Sequence, residues 1–371
     1  MPRPYVVGGT VVSHLLNRYS LSLMLMCSVY YFRYKKLSNH RGVIGVISET
    51  ELVNLLGSRV MQIATPEIYP PGSIVWHAGD LTPNEIQTCQ RLPFVSEIFH
   101  LEWTERQDGS ENRFKAVAKE LRQDYDAFLA FLESADHQLI TTLDGSWVEV
   151  IVPQAFDYQS PARQSPYLIR AMLNLGESGS SITQVLDPMG GYGQTLFECV
   201  LRGIDGATLE ISPKASHRSA ENIRKLLGRL QIPFEEHCEE NRYLFWTETS
   251  PRRCYQIVNG DTRRADQYFQ GQQFDSLITD FPYGVQAGAR TEKMQPTQFD
   301  QLLDSALPNW KNLLKPGGRV VIAYNLYTLA RETVLKLIEK HRFRQQFAQV
   351  DLSERISDKI HRDIVVFEKA E

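Results

Sequence analysis

The chain has 371 residues, enough for two domains, with 42% hydrophobic and 23% charged residues, the balance of an ordinary globular protein. The formal net charge is −4, so any nucleic-acid function requires basic residues concentrated locally, because phosphate binding needs Lys and Arg whatever the total. The five cysteines are scattered with no C-x-x-C, and His237-Cys238 is adjacent rather than spaced for chelation; this suits reduced thiols in a cytoplasm better than a disulfide framework or a metal site.

In chain order, residues 1–35 form an N-terminal segment outside either domain. Val6–Tyr31 is rich in apolar residues, but His14, Asn17 and Arg18 interrupt it, and the unbroken run is shorter than the about 20 residues a membrane span needs. No small-residue cleavage site follows it. The native start is expected later, near Met24 or Met26, which leaves Ser28–Arg33 as a first strand. Residues 36–152 read as an α+β domain. Ser48–Leu56 has a Ser N-cap and an apolar helical face. Ser73–His77 and Phe94–Trp103 read as strands, and Arg113–Ser134 as a helix with apolar residues at helical spacing. Thr141–Val152 reads as strand-like, with Asp144-Gly145 as a hairpin turn. Pro153–Gln164 is a linker into a second domain, 153–371.

That domain opens with a helix, Tyr167–Leu175. Thr183–Leu186 is a buried strand, Asp187–Gly193 a glycine-rich turn, and Gln194–Arg202 a helix. Gly191 and Gly193 let the backbone approach a ligand with no Cβ in the way. Asp187 argues against a phosphate ligand, which wants N–H groups and not a carboxylate. No G-x-x-x-x-G-K-S/T is present, which excludes a P-loop. An acid beside such a loop suits a ligand carrying an ammonium group, such as S-adenosylmethionine. Ala207–Ile211 is a second strand, with Glu210 placed to bind ribose hydroxyls, and Ser212-Pro213 starts a helix to Leu230. Gln231–Tyr255 reads as a long connection of mixed charge. Ile257–Asp261 is a third strand and Phe274–Thr279 a fourth, running into Asp280-Phe281-Pro282-Tyr283. Four strands thus each deliver a carboxylate at their C-terminal end: Asp187, Glu210, Asp261 and Asp280. Taken singly, each acid reads as a helix cap or a solvated loop residue. Four in register fit the ligand edge of an open α/β sheet better. Thr297–Leu314 and Tyr327–Glu339 read as helices, Pro316-Gly317-Gly318 as a turn, Arg319–Tyr324 as a strand, and Phe343–Leu352 with Ile364–Glu368 as a final strand pair. The fold expected is α/β, a doubly wound Rossmann-like sheet with helices on both faces.

Asp280-Phe281-Pro282-Tyr283 resembles the Asp/Asn-Pro-Pro-aromatic signature of amino-methyltransferases, which methylate exocyclic nitrogens of bases. Asp187–Gly193 resembles their D-P-x-x-G-x-G cofactor loop. The resemblance is closest to tRNA guanosine-10 N2-methyltransferases: their P-Y-G-V-R-x-G-A-R is similar to Pro282–Arg290, and their H-P-A-K-x-P-P-x-L-A-R-A-M to Ser160–Met172. Two departures stand out. Phe281 replaces the first proline, so the loop loses that ring's fixed φ. Ser160 and Arg163 replace the upstream histidine and lysine.

The resemblance implies methyl transfer from S-adenosylmethionine to N2 of a guanosine in tRNA. It assigns catalysis to Asp280, Phe281, Pro282 and Tyr283. It assigns the cofactor to Asp187, Gly190, Gly191, Gly193, Glu210, Asp261, Asp280, Ser165 and Pro166. In it Glu210 takes the ribose, Asp261 the adenine amine and Asp187 the methionine ammonium, directly or through water. Arg263, Arg264 and Arg290 follow strand ends on the active edge and are the RNA candidates. The implied partners are tRNA and, for some relatives, a small zinc-binding activator subunit. Those enzymes also carry a THUMP domain for RNA; Arg91–Trp103 is weakly similar to a strand region in their N-terminal half, and a small α+β module of another role stays open. The competing readings are a DNA adenine or cytosine amino-methyltransferase, a catalytically silent RNA-binding protein of the same fold, and an NAD dehydrogenase, the last opposed by Asp187 and by the lack of G-x-G-x-x-G.

Overall fold

Two sheets organise the described residues. The computed structural model describes residues 166–178, 182–283 and 296–370, and, before these, 27–34, 50–51, 54, 61–65, 72–78, 81–89, 92, 95–102 and 136–142. Strands β1 (Cys27–Tyr34), β2 (Met61–Thr65), β3 (Gly72–Ala78), β4 (Val95–Glu102) and β5 (Asp136–Thr142), with helix α1 (Pro83–Cys89), make up the N-terminal part. The five strands pair antiparallel in the order β2-β3-β1-β4-β5. The expected strands at Ser28–Arg33 and Ser73–His77 lie within β1 and β3, and Phe94–Trp103 brackets β4. Thr141 and Thr142 end β5 instead of opening a strand. Expectations for 1–26, Arg113–Ser134, Asp144-Gly145, the linker and the boundary at 152/153 lie outside the described residues.

The second sheet has ten strands. Its elements are α2 (Pro166–Leu175), β6 (Gln184–Asp187), α3 (Gln194–Arg202), β7 (Asp205–Glu210), α4 (Pro213–Arg229), β8 (Phe234–Glu239), β9 (Arg242–Thr247), β10 (Cys254–Asn259), α5 (Ala265–Tyr268), β11 (Phe274–Asp280), α6 (Pro296–Leu313), β12 (Leu314–Asn325), α7 (Arg331–Lys340), β13 (Phe343–Gln346), β14 (Glu354–Ser357) and β15 (Ile360–Lys369). The strand order is β13-β15-β12-β11-β6-β7-β10-β9-β8, with β14 paired to β15. From β12 to β10 every neighbour is parallel, and β15 runs antiparallel to β12. The chain builds outward from β6 through β7 to β10, then crosses back to place β11 on the other side of β6. That reversal opens a crevice at the C-terminal ends of β6 and β11, where doubly wound sheets bind ligands.

The parallel strands are covered on both faces, so each carries apolar residues on both sides. Successive residues enter opposite cores: Val185, Ile257, Ile278 and Val321 pack with α2, α3 and α4, while Leu186, Val258, Leu277 and Val320 pack with α5, α6 and α7. Helix α4 starts where the sequence marks it: the Ser212 side chain accepts from the Ala215 N–H (3.3 Å) and Pro213 takes the first turn.

Four readings need correction. Gln231–Tyr255 is not a long connection but the β8–β9 hairpin, which extends the sheet beyond β10. Its strand signal is masked because β8 is an edge strand whose exposed glutamates, Glu235, Glu236 and Glu239, discourage further pairing. Pro316-Gly317-Gly318 lies inside β12 as an irregularity in its pairing with β11, with Gly317 at φ 69°. Helix α7 begins only at Arg331, after a turn that leaves Tyr327 exposed. The strand expected at Phe343–Leu352 stops at Gln346, and Glu354–Ser357 supplies the unexpected β14.

Thr50, Glu51 and Asn54 are helical, within the helix expected at Ser48–Leu56. The Asn54 Nδ2 donates to the carbonyls of Asn174 (2.8 Å) and Glu177 (3.1 Å), satisfying carbonyls at the end of α2. Glu51 is fully buried and accepts from Asn174 Nδ2 at 2.6 Å. Burial pushes its carboxyl from 4.5 up to about 8. The folded chain therefore holds a proton that the unfolded chain releases, so stability falls as pH rises from about 4.5 through about 8. Glu51→Gln is expected to flatten that fall, so the melting temperature of the variant gains on wild type between pH 6 and pH 9. Parallel melting curves for the two proteins across that range would contradict a buried carboxyl here.

Candidate active site

The glycine turn is built by contacts between β6, β7 and α4. The Gly190 N–H donates to the Leu209 carbonyl (2.9 Å), which lays the turn against β7. A Cβ at Gly190 would come within 1.4 Å of the Thr208 Oγ1, so only glycine fits. Gly193 has φ 85° at the start of α3, and a Cβ there would meet the Ser219 Oγ at 2.3 Å. Gly191, at φ 52°, is different: a Cβ there would meet nothing within 4 Å, so the turn opens on free space at this residue.

Two acids hold that turn. Asp187 accepts from the Thr195 Oγ1 (2.6 Å) and the Met189 N–H (3.0 Å) and is 5% exposed; burial pushes its carboxyl up to about 6. The structure thus places Asp187 as a pin between β6 and α3, with little surface left for a ligand. Glu210 accepts from the Gly191 N–H (2.9 Å) and the Ser212 N–H (2.7 Å), and burial raises its carboxyl above the usual range. Glu210 itself is only partly buried. The next residue, Ile211, was read as the end of the strand; instead it lies outside β7 and is 68% exposed, an apolar surface beside Glu210.

Asp261 follows β10 and caps a short turn of 3-10 helix, accepting from the Arg263 N–H at 2.9 Å. The Arg263 guanidinium grips the same carboxylate (Nη2 to Oδ2, 2.5 Å) and holds it below the usual range. The structure therefore pairs an acid assigned to the cofactor with an arginine assigned to RNA. Arg264, beside them, is exposed. Pro166 begins α2, while Ser165 and Arg290 lie outside the described residues.

Asp280 ends β11, in register with Ala323 of β12. Phe281 continues the ladder by one bond, its N–H donating to the Ala323 carbonyl (2.8 Å). Its ring is 1% exposed and meets Phe299 of α6 with centroids 6.4 Å apart. A proline could form neither contact. Here the loop draws its rigidity from a hydrogen bond and a core anchor. Tyr283 is 7% exposed, which leaves little ring face open. Its hydroxyl accepts from the Arg362 Nε (3.0 Å) and its carbonyl from the Asn325 Nδ2 (3.2 Å). Sequence reasoning missed Arg362 and Asn325. They face each other on β15 and β12, and no local pattern marks them.

The strand order, the antiparallel final strand and the glycine turn at the crevice define the Rossmann-like fold of class I S-adenosylmethionine-dependent methyltransferases. No protein-family model matches the chain. In sequence it is similar to the tRNA (guanine(10)-N2)-dimethyltransferase of Methanothermobacter thermautotrophicus, 27% identical over 165 residues that cover 44% of this chain and 39% of that protein. The enzyme of the same name from Pyrococcus abyssi is 25% identical over 167 residues, 45% of this chain and 40% of that protein. The match thus spans about two fifths of each relative. Among solved structures, TrmN from Thermus thermophilus aligns over 92% of this chain and 99% of its own, with 14% identity and a TM-score of 0.44. The N-methyltransferase NodS from Bradyrhizobium japonicum, solved with S-adenosyl-L-homocysteine, aligns over 60% of this chain and 99% of its own, with 12% identity and a TM-score of 0.38.

Proposed function

We propose that the chain binds S-adenosylmethionine and methylates an exocyclic amine of a base in RNA, N2 of a guanosine in tRNA. The observation that carries this reading is the position of Asp280-Phe281-Pro282-Tyr283 at the C-terminal end of β11, next to the glycine turn that follows the neighbouring strand β6. The local similarity to the two guanine-N2 enzymes supports the choice of base.

When bound, S-adenosylmethionine supplies an electrophilic methyl group on a sulfonium. In this reading Glu210 accepts from the ribose hydroxyls and Ile211 covers the adenine. Asp261 takes the adenine amine in place of Arg263. Gly190, Gly191 and Gly193 frame the methionine end, in a turn that Asp187 keeps in shape, and Ser165 with Pro166 complete the pocket. An exocyclic amine is a poor nucleophile because its lone pair is delocalised into the ring. The Asp280 carboxylate and the Phe281 carbonyl accept hydrogen bonds from its N–H groups, which favours the pyramidal nitrogen of the transition state. The proton on the methylated nitrogen leaves late, so Asp280 need not be a strong base. Pro282 and Tyr283 border the base, which must leave its stack to reach them. Arg264, Arg290 and Arg263 are assigned to the RNA backbone, and the N-terminal sheet to the rest of the RNA. No helix among the described residues is long and apolar enough to cross a membrane. The free cysteines Cys89, Cys199, Cys238 and Cys254 suit a reducing cytoplasm.

The test is methyl transfer from labelled S-adenosylmethionine to unmodified tRNA and to duplex DNA, side by side, with nucleoside digestion. Label in N2-methylguanosine is expected. Label in methyladenine or methylcytosine of DNA would move the protein to the DNA class. Cofactor binding with no transfer to either would favour a silent protein.

A further inference from the structure

We infer that the exposed ring of Tyr327 stacks on the nucleotide next to the one methylated, which makes the turn after β12 a second RNA contact at the edge that carries Asp280. The inference rests on the methyltransferase reading and deepens it, by naming a residue that takes the RNA outside the pocket for the target base.

Among the described residues three large hydrophobic side chains are exposed, Ile211, Tyr327 and Ile356. A single exposed apolar residue is ordinary. These three share one edge, the C-terminal ends of the parallel strands. Ile211 follows β7, Tyr327 follows β12, and Ile356 lies on β14, which pairs with the start of β15 where Arg362 faces Asn325. Tyr327 is 51% exposed although its backbone is firmly braced. Its N–H donates to the Asn325 Oδ1 (3.2 Å), and the Leu326 N–H donates to the His361 carbonyl (2.7 Å). The Asn325 carbonyl accepts from the N–H groups of Thr328 (2.9 Å) and Leu329 (3.0 Å), and Leu329 is buried in the core. The Asn325 Nδ2 donates to the Tyr283 carbonyl (3.2 Å). One buried amide thus fixes both the turn that presents Tyr327 and the loop proposed to hold the target base.

The surroundings of the ring suit a nucleotide. The His361 ring meets Tyr327 in a tilted contact, centroids 5.9 Å apart and planes at 60°, which props the tyrosine and leaves half of it to solvent. Arg355 lies opposite His361 in the β14–β15 ladder, so their side chains share a face. Its Nη2 lies 2.9 Å from the Asp358 carboxylate, but both groups are exposed, and such a pair yields readily to a phosphate. Lys359, in the turn between the two strands, is exposed as well. A protein partner would want a wider apolar patch than one ring flanked by charge. The reaction itself leaves a nucleotide in need of such a ring. A base whose exocyclic amine reaches Asp280 has left its stack, and its neighbour in the strand then shows a bare face. A tyrosine held on a braced turn restores that stack with little ordering to be done at the moment of binding.

The experiment measures binding of unmodified tRNA to the full chain over a range of salt, with methyl transfer alongside. The proteins are wild type, Tyr327→Ala, Tyr327→Leu, Tyr327→Phe and Arg355→Ala. Tyr327→Ala is expected to weaken tRNA binding by about tenfold, within the range for losing one base stack on an aromatic ring. Tyr327→Leu, apolar but without a flat face, should bind as poorly as alanine, while Tyr327→Phe should recover most of the affinity. The loss at Tyr327 should not alter the slope of log affinity against log salt, whereas Arg355→Ala should flatten it by about one unit. Tyr327 enters the bonds named above through its N–H, which all three substitutions keep, so these variants are expected to melt with wild type. Wild-type affinity in Tyr327→Ala, or recovery by leucine as full as by phenylalanine, would overturn the stacking, and methyl transfer to RNA by the wild type would still uphold the methyltransferase reading. A wild-type chain that transfers no methyl group to RNA would overturn both.

Discussion

Alanine at position 280 is expected to lower the methyl-transfer rate by about a thousandfold, the upper range for removing one preorganised polar group from a transition state. Asp280 stands at the C-terminal end of β11, beside the crevice where the strand order reverses. Its carboxylate is the side-chain acceptor proposed for the amine N–H, and the Phe281 carbonyl is the main-chain one. Alanine removes the first and leaves the second, so residual transfer above background is also expected. Asp280→Asn keeps one carbonyl acceptor and should lose less than alanine does. Single-turnover rates with labelled cofactor separate the two variants. If alanine at 280 turned over like wild type, the catalytic assignment would be wrong. If asparagine and alanine lost the same amount, Asp280 would act as a charge rather than as an acceptor.

Phe281→Pro restores the residue that the amino-methyltransferase signature carries, yet it is expected to destabilise this protein by about 3–5 kcal/mol, the cost of emptying a buried phenylalanine site. The Phe281 ring is 1% exposed and packs on Phe299, and proline cannot fill that volume. About 1 kcal/mol more follows from losing the Phe281 N–H bond to the Ala323 carbonyl. Phe281→Leu keeps the N–H and most of the apolar volume and should cost about 1.5 kcal/mol or less. Urea unfolding of the three proteins checks this order. Equal midpoints for wild type and Phe281→Pro would show that neither the ring nor the bond matters. The broader point concerns the departure at this position. Proline rigidifies such a loop through its ring; here a ladder bond and a core contact do the same work from outside the loop.

Much of the site was legible in the chain because it is local. The strands at β6, β7, β10 and β11 carry apolar residues toward both faces and have an acid at or just after their C-terminal ends, as a strand covered on both faces beside the ligand edge does. Gly190 and Gly193 stand where a turn pressed against β7 and α4 leaves no room for side chains, and Gly191 where the backbone takes a positive φ of 52°. Alternation and helix caps placed most of the elements. The β8–β9 hairpin escaped because an edge strand needs charge more than it needs apolar residues.

What only the tertiary structure decided is which groups spend their hydrogen bonds on each other. By sequence alone, Asp187 and Asp261 were acids at strand ends, equally available to a ligand. Folded, one is buried against Thr195 and the other is held by Arg263. Glu210, from β7, accepts from Gly191 of the glycine turn. Tyr283 meets Arg362 and Asn325 because β12 and β15 run antiparallel and bring their ends to the β11 loop. A periodic pattern can fix where a strand lies and which face is buried. It carries no information on the partners of a polar side chain, whether these lie a few residues away, as Thr195 and Arg263 do, or arrive by strand pairing from scores of residues away, as Arg362 does.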